Sequence, residues 1–202
     1  MSDADSRDDA ALRERLTQIV LASPTLMRVL RTVARQEIPD WRVGSGAVFQ
    51  TVWNALTGRD PDYGIKDYDV IYFDPDTSWN AEDAVIRRVA AAFPPELSAK
   101  VEVRNQARVH LWFEARFGAP YAPLGCTDEA LARFLTPANA VGVRLEADGR
   151  LDVAAPYGLE DGFAMRLRPS PTRFFNRANY LKIAAGLKAR WPEVTIEQTI
   201  EA

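Results

Sequence analysis

The stretch Lys66-Asp67-Tyr68-Asp69-Val70-Ile71-Tyr72-Phe73 limits what this chain can fold into more than any other segment. Its β-branched and aromatic run, stopped by Asp74-Pro75-Asp76, predicts a strand over Tyr68 to Phe73. The uncharged residues after Asp69 say that this strand enters a core. Residues two apart on a strand face the same way, so the Asp67 and Asp69 carboxylates project together at its mouth. Neighbouring carboxylates repel each other, and burying them unpaired is costly. One resolution is a hard cation. Oxygen-only ligands favour Mg²⁺, which commonly takes one or two carboxylates together with substrate phosphates. The other resolution is a solvated strand end carrying two ordinary surface acids.

A second feature lies upstream. Trp41 to Gly44 predicts a short strand running into Ser45-Gly46, and a helix follows from Ala47 to Leu56 with Val48, Val52 and Leu56 on one stripe. Gly58 is placed to end that helix. A glycine lets a ligand approach the backbone closely, and a helix N-terminus offers unpaired N–H groups to a phosphate. The same glycine also suits a plain tight turn. Trp53 and Asn54 read as packing residues that brace the helix.

The remainder alternates helices and strands. Ser2 to Asp9 reads as a frayed tail, with one domain over residues 10–202. Helical spacing marks Ala10 to Leu21 and a second helix begun by Ser23-Pro24. Ser78 caps a helix reaching Phe93. Lys100 to Arg104 and Arg108 to Phe113 predict two strands around a turn at Asn105. A helix near Asp128 to Phe134 precedes strands at Val141 to Leu145 and Leu151 to Val153, with Asp148-Gly149 as their hairpin turn. A long helix covers Thr172 to Trp191. This order implies an α/β (α+β) fold: a mixed β-sheet flanked by helices.

Composition narrows the function classes. The formal net charge of -3 argues against extended nucleic acid as the main partner. The single cysteine, Cys126, excludes an intrachain disulfide and reads as a small buried residue. His110 is the only histidine, which excludes a multi-histidine metal site and reads as an ordinary strand residue. No run approaches the ~18 apolar residues of a membrane span. The start of the chain is polar and acidic rather than signal-like, so a cytoplasmic location is expected.

The order glycine turn, helix, loop, Asp-x-Asp strand resembles the core of the DNA polymerase beta-like nucleotidyltransferase superfamily. Ser45-Gly46-Ala47-Val48 is similar to the glycine motif of its tRNA nucleotidyltransferase branch, where an Arg and an acidic residue follow. Phe49 and Gln50 stand there in this chain, a departure that speaks against carrying over that branch's tRNA-end activity. Residues 45–54, 66–74 and 102–112, with Pro156-Tyr157-Gly158-Leu159 and Trp191-Pro192, resemble a bacterial family of nucleotidyltransferase-like proteins with no settled substrate. The resemblance spans roughly residues 24 to 192 and implies the nucleotidyltransferase fold.

That resemblance implies an enzyme that uses one or two Mg²⁺ ions to move a nucleoside monophosphate from a nucleoside triphosphate to an unidentified acceptor hydroxyl. Asp67 and Asp69 would hold the metal, and Ser45 and Gly46 the triphosphate. The superfamily's third carboxylate sits on a later strand between apolar residues, as Glu102 does between Val101 and Val103, where it would be the third metal ligand, completing the second metal site and favouring loss of the acceptor proton. An exposed strand glutamate is the alternative reading, and Asp74 is a rival on the opposite strand parity. Arg104 and Arg108 could grip a phosphate bidentately or be surface charges. Arg173 and Arg177 share a helix face, as a triphosphate clamp or as solvated charges. Three further functional readings stand beside this one: a nucleotide sensor without turnover, a protein-interaction module with a vestigial site, and a polymerising enzyme acting on RNA ends, which the acidic balance argues against.

Overall fold

The apolar runs around residues 41, 68, 101, 142 and 151 become strands of one five-stranded sheet in the computed structural model, which describes residues 3–171 and 176–197. The strands are β1 (Trp41–Gly44), β2 (Tyr68–Tyr72), β3 (Val101–Asn105), β4 (Gly142–Leu145) and β5 (Leu151–Ala154), in spatial order β3-β2-β1-β4-β5. Only β2 and β3 run parallel; the other neighbours are antiparallel. The fold is therefore mixed α/β, with helices against a mixed sheet, as the sequence implied.

Strand parity divides β2 between two environments. Tyr68, Val70 and Tyr72 enter the main core, with Val43, Val103 and Val143 from neighbouring strands. Against them pack α1 (Asp3–Leu21), α2 (Pro24–Ala34), α3 (Gly46–Leu56), α4 (Trp79–Ala91) and α9 (Arg177–Arg190), through residues such as Leu16, Leu30, Val48, Val89 and Leu187. Ile71 belongs to a second, smaller cluster with Leu124, Ala130, Leu131 and Ala154. Asp69 lies two residues before Ile71 and so shares this second face. The short helix α7 (Thr127–Leu131) covers part of that face. It is tied down by Arg42, whose guanidinium reaches Asp128 at 2.7 Å and Asp152 at 2.8 Å. Asp40 also holds it, accepting bonds from the Thr127 N–H and hydroxyl, each 2.8 Å.

The structure corrects three expectations. Arg108 to Phe113 is not a strand: Gln106–Leu111 forms a 3₁₀ turn, followed by α6 (Phe113–Phe117). The cause is Asn105. Its Oδ1 accepts the Ala107 N–H at 3.0 Å and the Asp74 N–H at 3.1 Å, which turns the chain out of the sheet at the end of β3. Second, α1 begins at Asp3, inside the stretch read as a frayed tail. Third, Asn176 is the extended N-cap of the last helix rather than a residue inside it; Thr172, Arg173 and Phe175 lie outside the described residues. Short elements fill out the fold: α5 (Pro95–Ser98), α8 (Glu160–Phe163), a 3₁₀ turn over Pro137–Asn139, and a two-stranded sheet of β6 (Arg166–Leu167) with β7 (Thr195–Ile196). The predicted hairpin at Asp148-Gly149 forms, with Gly149 at φ 83°.

Candidate active site

The N-terminal end of β2 is where charge collects. Asp69 pairs in register with Gly44 on one side and Glu102 on the other. Gly44 has no side chain to cover that face, and Glu102 stands exposed on the edge strand. Asp67 lies one residue before β2, on the same parity as Asp69. Burial pushes the Asp69 carboxyl up to about 7, and the charges of Asp67 and Glu102 push it the same way; Arg104 works against them. Asp67, Asp69, Glu102 and Arg104 are thus electrostatic neighbours.

The turn from β1 into α3 faces the same acids. Ser45 sits at φ 50°, ψ -121°, with its N–H donating to Val141 O at 2.8 Å. A non-glycine residue in such a region costs on the order of 1–3 kcal/mol, and strain of this kind concentrates at functional sites. The Ser45 side chain makes no capping hydrogen bond to α3, which leaves the first N–H groups of that helix without this partner. A β-carbon at Gly46 would lie 3.2 Å from Gln50 Nε2 and 3.9 Å from Asp67 Oδ1. The glycine therefore keeps a gap between the helix start and the carboxylate.

Two site residues escape sequence reasoning. Gln50 lies one helical turn after Gly46, and its Oε1 is 3.5 Å from Arg190 Nη1. Arg190 also donates to Gly64 O at 2.5 Å, and its guanidinium lies 4.9 Å over the Trp191 ring. Burial pulls the Arg190 pKa down, while Tyr63 and Asp67 oppose that shift, so this cation faces the acidic cluster. Nothing local could have revealed it, because the contacts join residues more than a hundred positions apart.

The segment that delivers Asp67 is pinned by one fully buried amide. Asn54 Nδ2 donates to Pro61 O at 3.0 Å and Tyr63 O at 2.9 Å, while its Oδ1 accepts from Trp191 Nε1 at 2.9 Å. Trp53 donates to Gly162 O at 2.8 Å and packs edge-on against Trp191. Both residues brace the helix, as read from sequence. Gly64 has φ 71°, and a β-carbon there would lie 2.6 Å from Trp191 Cη2, so only glycine fits.

Other candidates lie elsewhere. Arg108 is paired with Glu82 at 2.9 Å and donates to Thr77 O at 2.5 Å, which ties it to the start of α4 and away from the acids. Asp74 follows the far end of β2, about 17 Å of strand from Asp69, and its Oδ1 accepts the Asp76 N–H. His110 sits in the 3₁₀ turn rather than on a strand. Arg177 opens α9, while Arg173 lies outside the described residues.

Mg²⁺ suits this donor set in one form. Among the described residues no three His, Cys, Asp or Glu side chains converge into a metal cage. Asp67 and Asp69 are instead a mutually repelling pair, which a cation would relieve. A magnesium site completed by substrate phosphates needs no more than such a pair.

A family model described as Nucleotidyltransferase matches residues 31–196. No curated protein sequence matches the chain. Among solved structures, an NMR structure reported to reveal a CCA-adding enzyme head domain superposes with a TM-score of 0.71. It is 24% identical and covers 92% of this chain and 96% of that one. This likeness shows a shared fold.

Proposed function

The chain belongs to a nucleotidyltransferase family, and from that premise we propose that it transfers a nucleoside monophosphate from a nucleoside triphosphate to an acceptor hydroxyl. The observation that carries this reading is the juxtaposition of Gly46, at the start of α3, with Asp67, beside an Asp69 locked in register with Glu102.

The α3 N–H groups and the Ser45 hydroxyl hold the triphosphate, and Arg190 adds a cation on the same side. Asp67 and Asp69 would hold Mg²⁺, which when bound supplies charge neutralisation for the phosphoryl oxygens. Glu102, across β2 from the helix start, takes the acceptor proton. The acceptor oxygen then bonds to the α-phosphorus, the bond from that phosphorus to its bridging oxygen breaks, and pyrophosphate leaves. Chemistry of this kind is positioning and charge stabilisation, so it needs no Cys or His nucleophile. No described helix is long and apolar enough to cross a membrane, which is compatible with the cytoplasmic location proposed here.

Two observations favour a second reading. Glu102 is exposed, and the described acids do not form a three-ligand cluster, as a nucleotide sensor without turnover would allow. Calorimetry with each nucleoside triphosphate and Mg²⁺, followed by a pyrophosphate-release assay over an acceptor panel, separates the two. An enzyme releases pyrophosphate, and Asp67→Asn or Asp69→Asn lowers that release by about a hundredfold or more. Binding without release in the wild type identifies the sensor. Full activity in both variants would overturn the metal assignment.

A further inference from the structure

The second sheet face carries a cleft that the proposed reaction has not used. It encloses about 380 Å³, within the ~300–1,000 Å³ range of small-molecule sites. Its walls are Phe113, Phe117, Tyr121 and Phe134, with the amides of Gln106 and Asn179 beside them. Phe113 stands 4.7 Å from Phe117 and 4.4 Å from Tyr121, centroid to centroid, at tilted angles, so three rings form one flank.

We propose that this cleft is the acceptor site, and that the acceptor is a single small neutral molecule bearing a planar ring and a hydroxyl. The proposal rests on the nucleotidyl-transfer reading and adds the chemical class of its second substrate. Three observations lead to it. The first is position. Across the sheet, Ser45 and Gly46 continue from β1 on one side of Asp69, while Glu102 lies on β3 on the other side. In-line transfer puts the acceptor opposite the leaving pyrophosphate, so it enters from the β3 side. Glu102 and Arg104 share the Asp69 face, and the chain reaches Gln106 at the cleft four residues past Glu102, about 13 Å along an extended strand. One small molecule bridges that span.

The second observation is wall chemistry. Aromatic faces stack on a planar ring, and amide groups recognise its hydrogen-bonding edge. The third is charge. The one cation among the described residues that line the cleft, Arg133, donates to Ala122 O at 2.7 Å and lies 4.2 Å over the Tyr121 ring. Its guanidinium is engaged in the wall itself. The chain as a whole carries a net charge of -3, and the described walls of the cleft offer no basic stripe to a polyanion.

The test uses the full chain labelled with ¹⁵N, with adenosine and N-acetyltyrosinamide as neutral ring-bearing probes and a single-stranded RNA as the polymer control. Mg²⁺ with a nucleoside triphosphate is titrated separately. Expected are probe-induced shifts at residues 113–121 and 130–135. Affinity should fall about tenfold in the variant Phe117→Ala, at a residue that is 49% exposed, and also in Asn179→Leu. No probe shifts there, with triphosphate binding intact, overturns the cleft assignment and leaves nucleotidyl transfer standing. Probe binding without any triphosphate binding removes the transfer reading, and the acceptor role with it. Triphosphate binding that weakens in Phe117→Ala makes the cleft a donor-base site, and a stronger, salt-sensitive response to RNA makes the acceptor a polymer. Either result overturns the proposal.

Discussion

Asp69 shows what a single carboxylate contributes when a strand carries it into a core. Its pKa is raised from 3.8 to about 7 by burial, then by Asp67 and Glu102. The folded protein therefore holds a proton that the unfolded chain has lost at intermediate pH. For a raised carboxylate, the stability this group contributes is complete below about pH 4 and is lost as pH climbs through about 7. The metal-free protein is expected to melt lower at pH 8 than at pH 5, and Asp69→Asn should flatten that part of the profile and raise the pH 8 melting temperature. Equal slopes in variant and wild type, followed by thermal melts with a chelator present, would refute the assignment. Ser45 makes the opposite trade. Ser45→Gly is expected to add about 1 kcal/mol in urea unfolding by relieving its positive φ, while weakening triphosphate affinity through loss of the hydroxyl. The acid pair was legible because strand parity is written in adjacent residues. Gln50 and Arg190 were not, since their meeting depends on how α9 packs.

Among the elements, the segment between α3 and β2 is the one whose geometry the site depends on. It is short, polar and exposed, yet Asn54 and Trp191 hold it from beneath. Gly64→Ala is expected to cost about 2 kcal/mol or more, because the added carbon meets the Trp191 ring and the backbone needs positive φ. Urea unfolding measures it, and a loss under 0.5 kcal/mol, a threshold set by ordinary surface changes, would contradict the contact. The sequence predicted this helix and strand within a residue, since an apolar stripe and a β-branched run have distinct periods. It misread Arg108 to Phe113 because alternating apolar residues suit a strand. The Asn105 side chain overrides that pattern by hydrogen-bonding Ala107 two residues on.

At the scale of the whole molecule, ligand binding should register as global stability. A ligand present at a hundred times its dissociation constant stabilises a protein by about 2.7 kcal/mol. For a chain of this size, each kcal/mol raises the melting temperature by ~2–4 °C. Saturating Mg²⁺ and nucleoside triphosphate together are therefore expected to raise it by ~5–10 °C, and Asp67→Asn should abolish the shift. A shift that persists in Asp67→Asn, read by scanning fluorimetry, would place the nucleotide elsewhere. The fold class was legible from the order of elements alone. The aromatic lining of the cleft was not, because Phe113, Tyr121 and Phe134 come from loops and short helices with no shared period.

The latch between Asn54 and Trp191 also orders events during synthesis. A ribosome releases the β1–α3 turn and both acids long before it releases Arg190 and Trp191. The nascent chain thus carries its acids without the indole that props their loop or the guanidinium that faces them. The loop that carries Asp67 can therefore take up its described packing only once Trp191 has emerged.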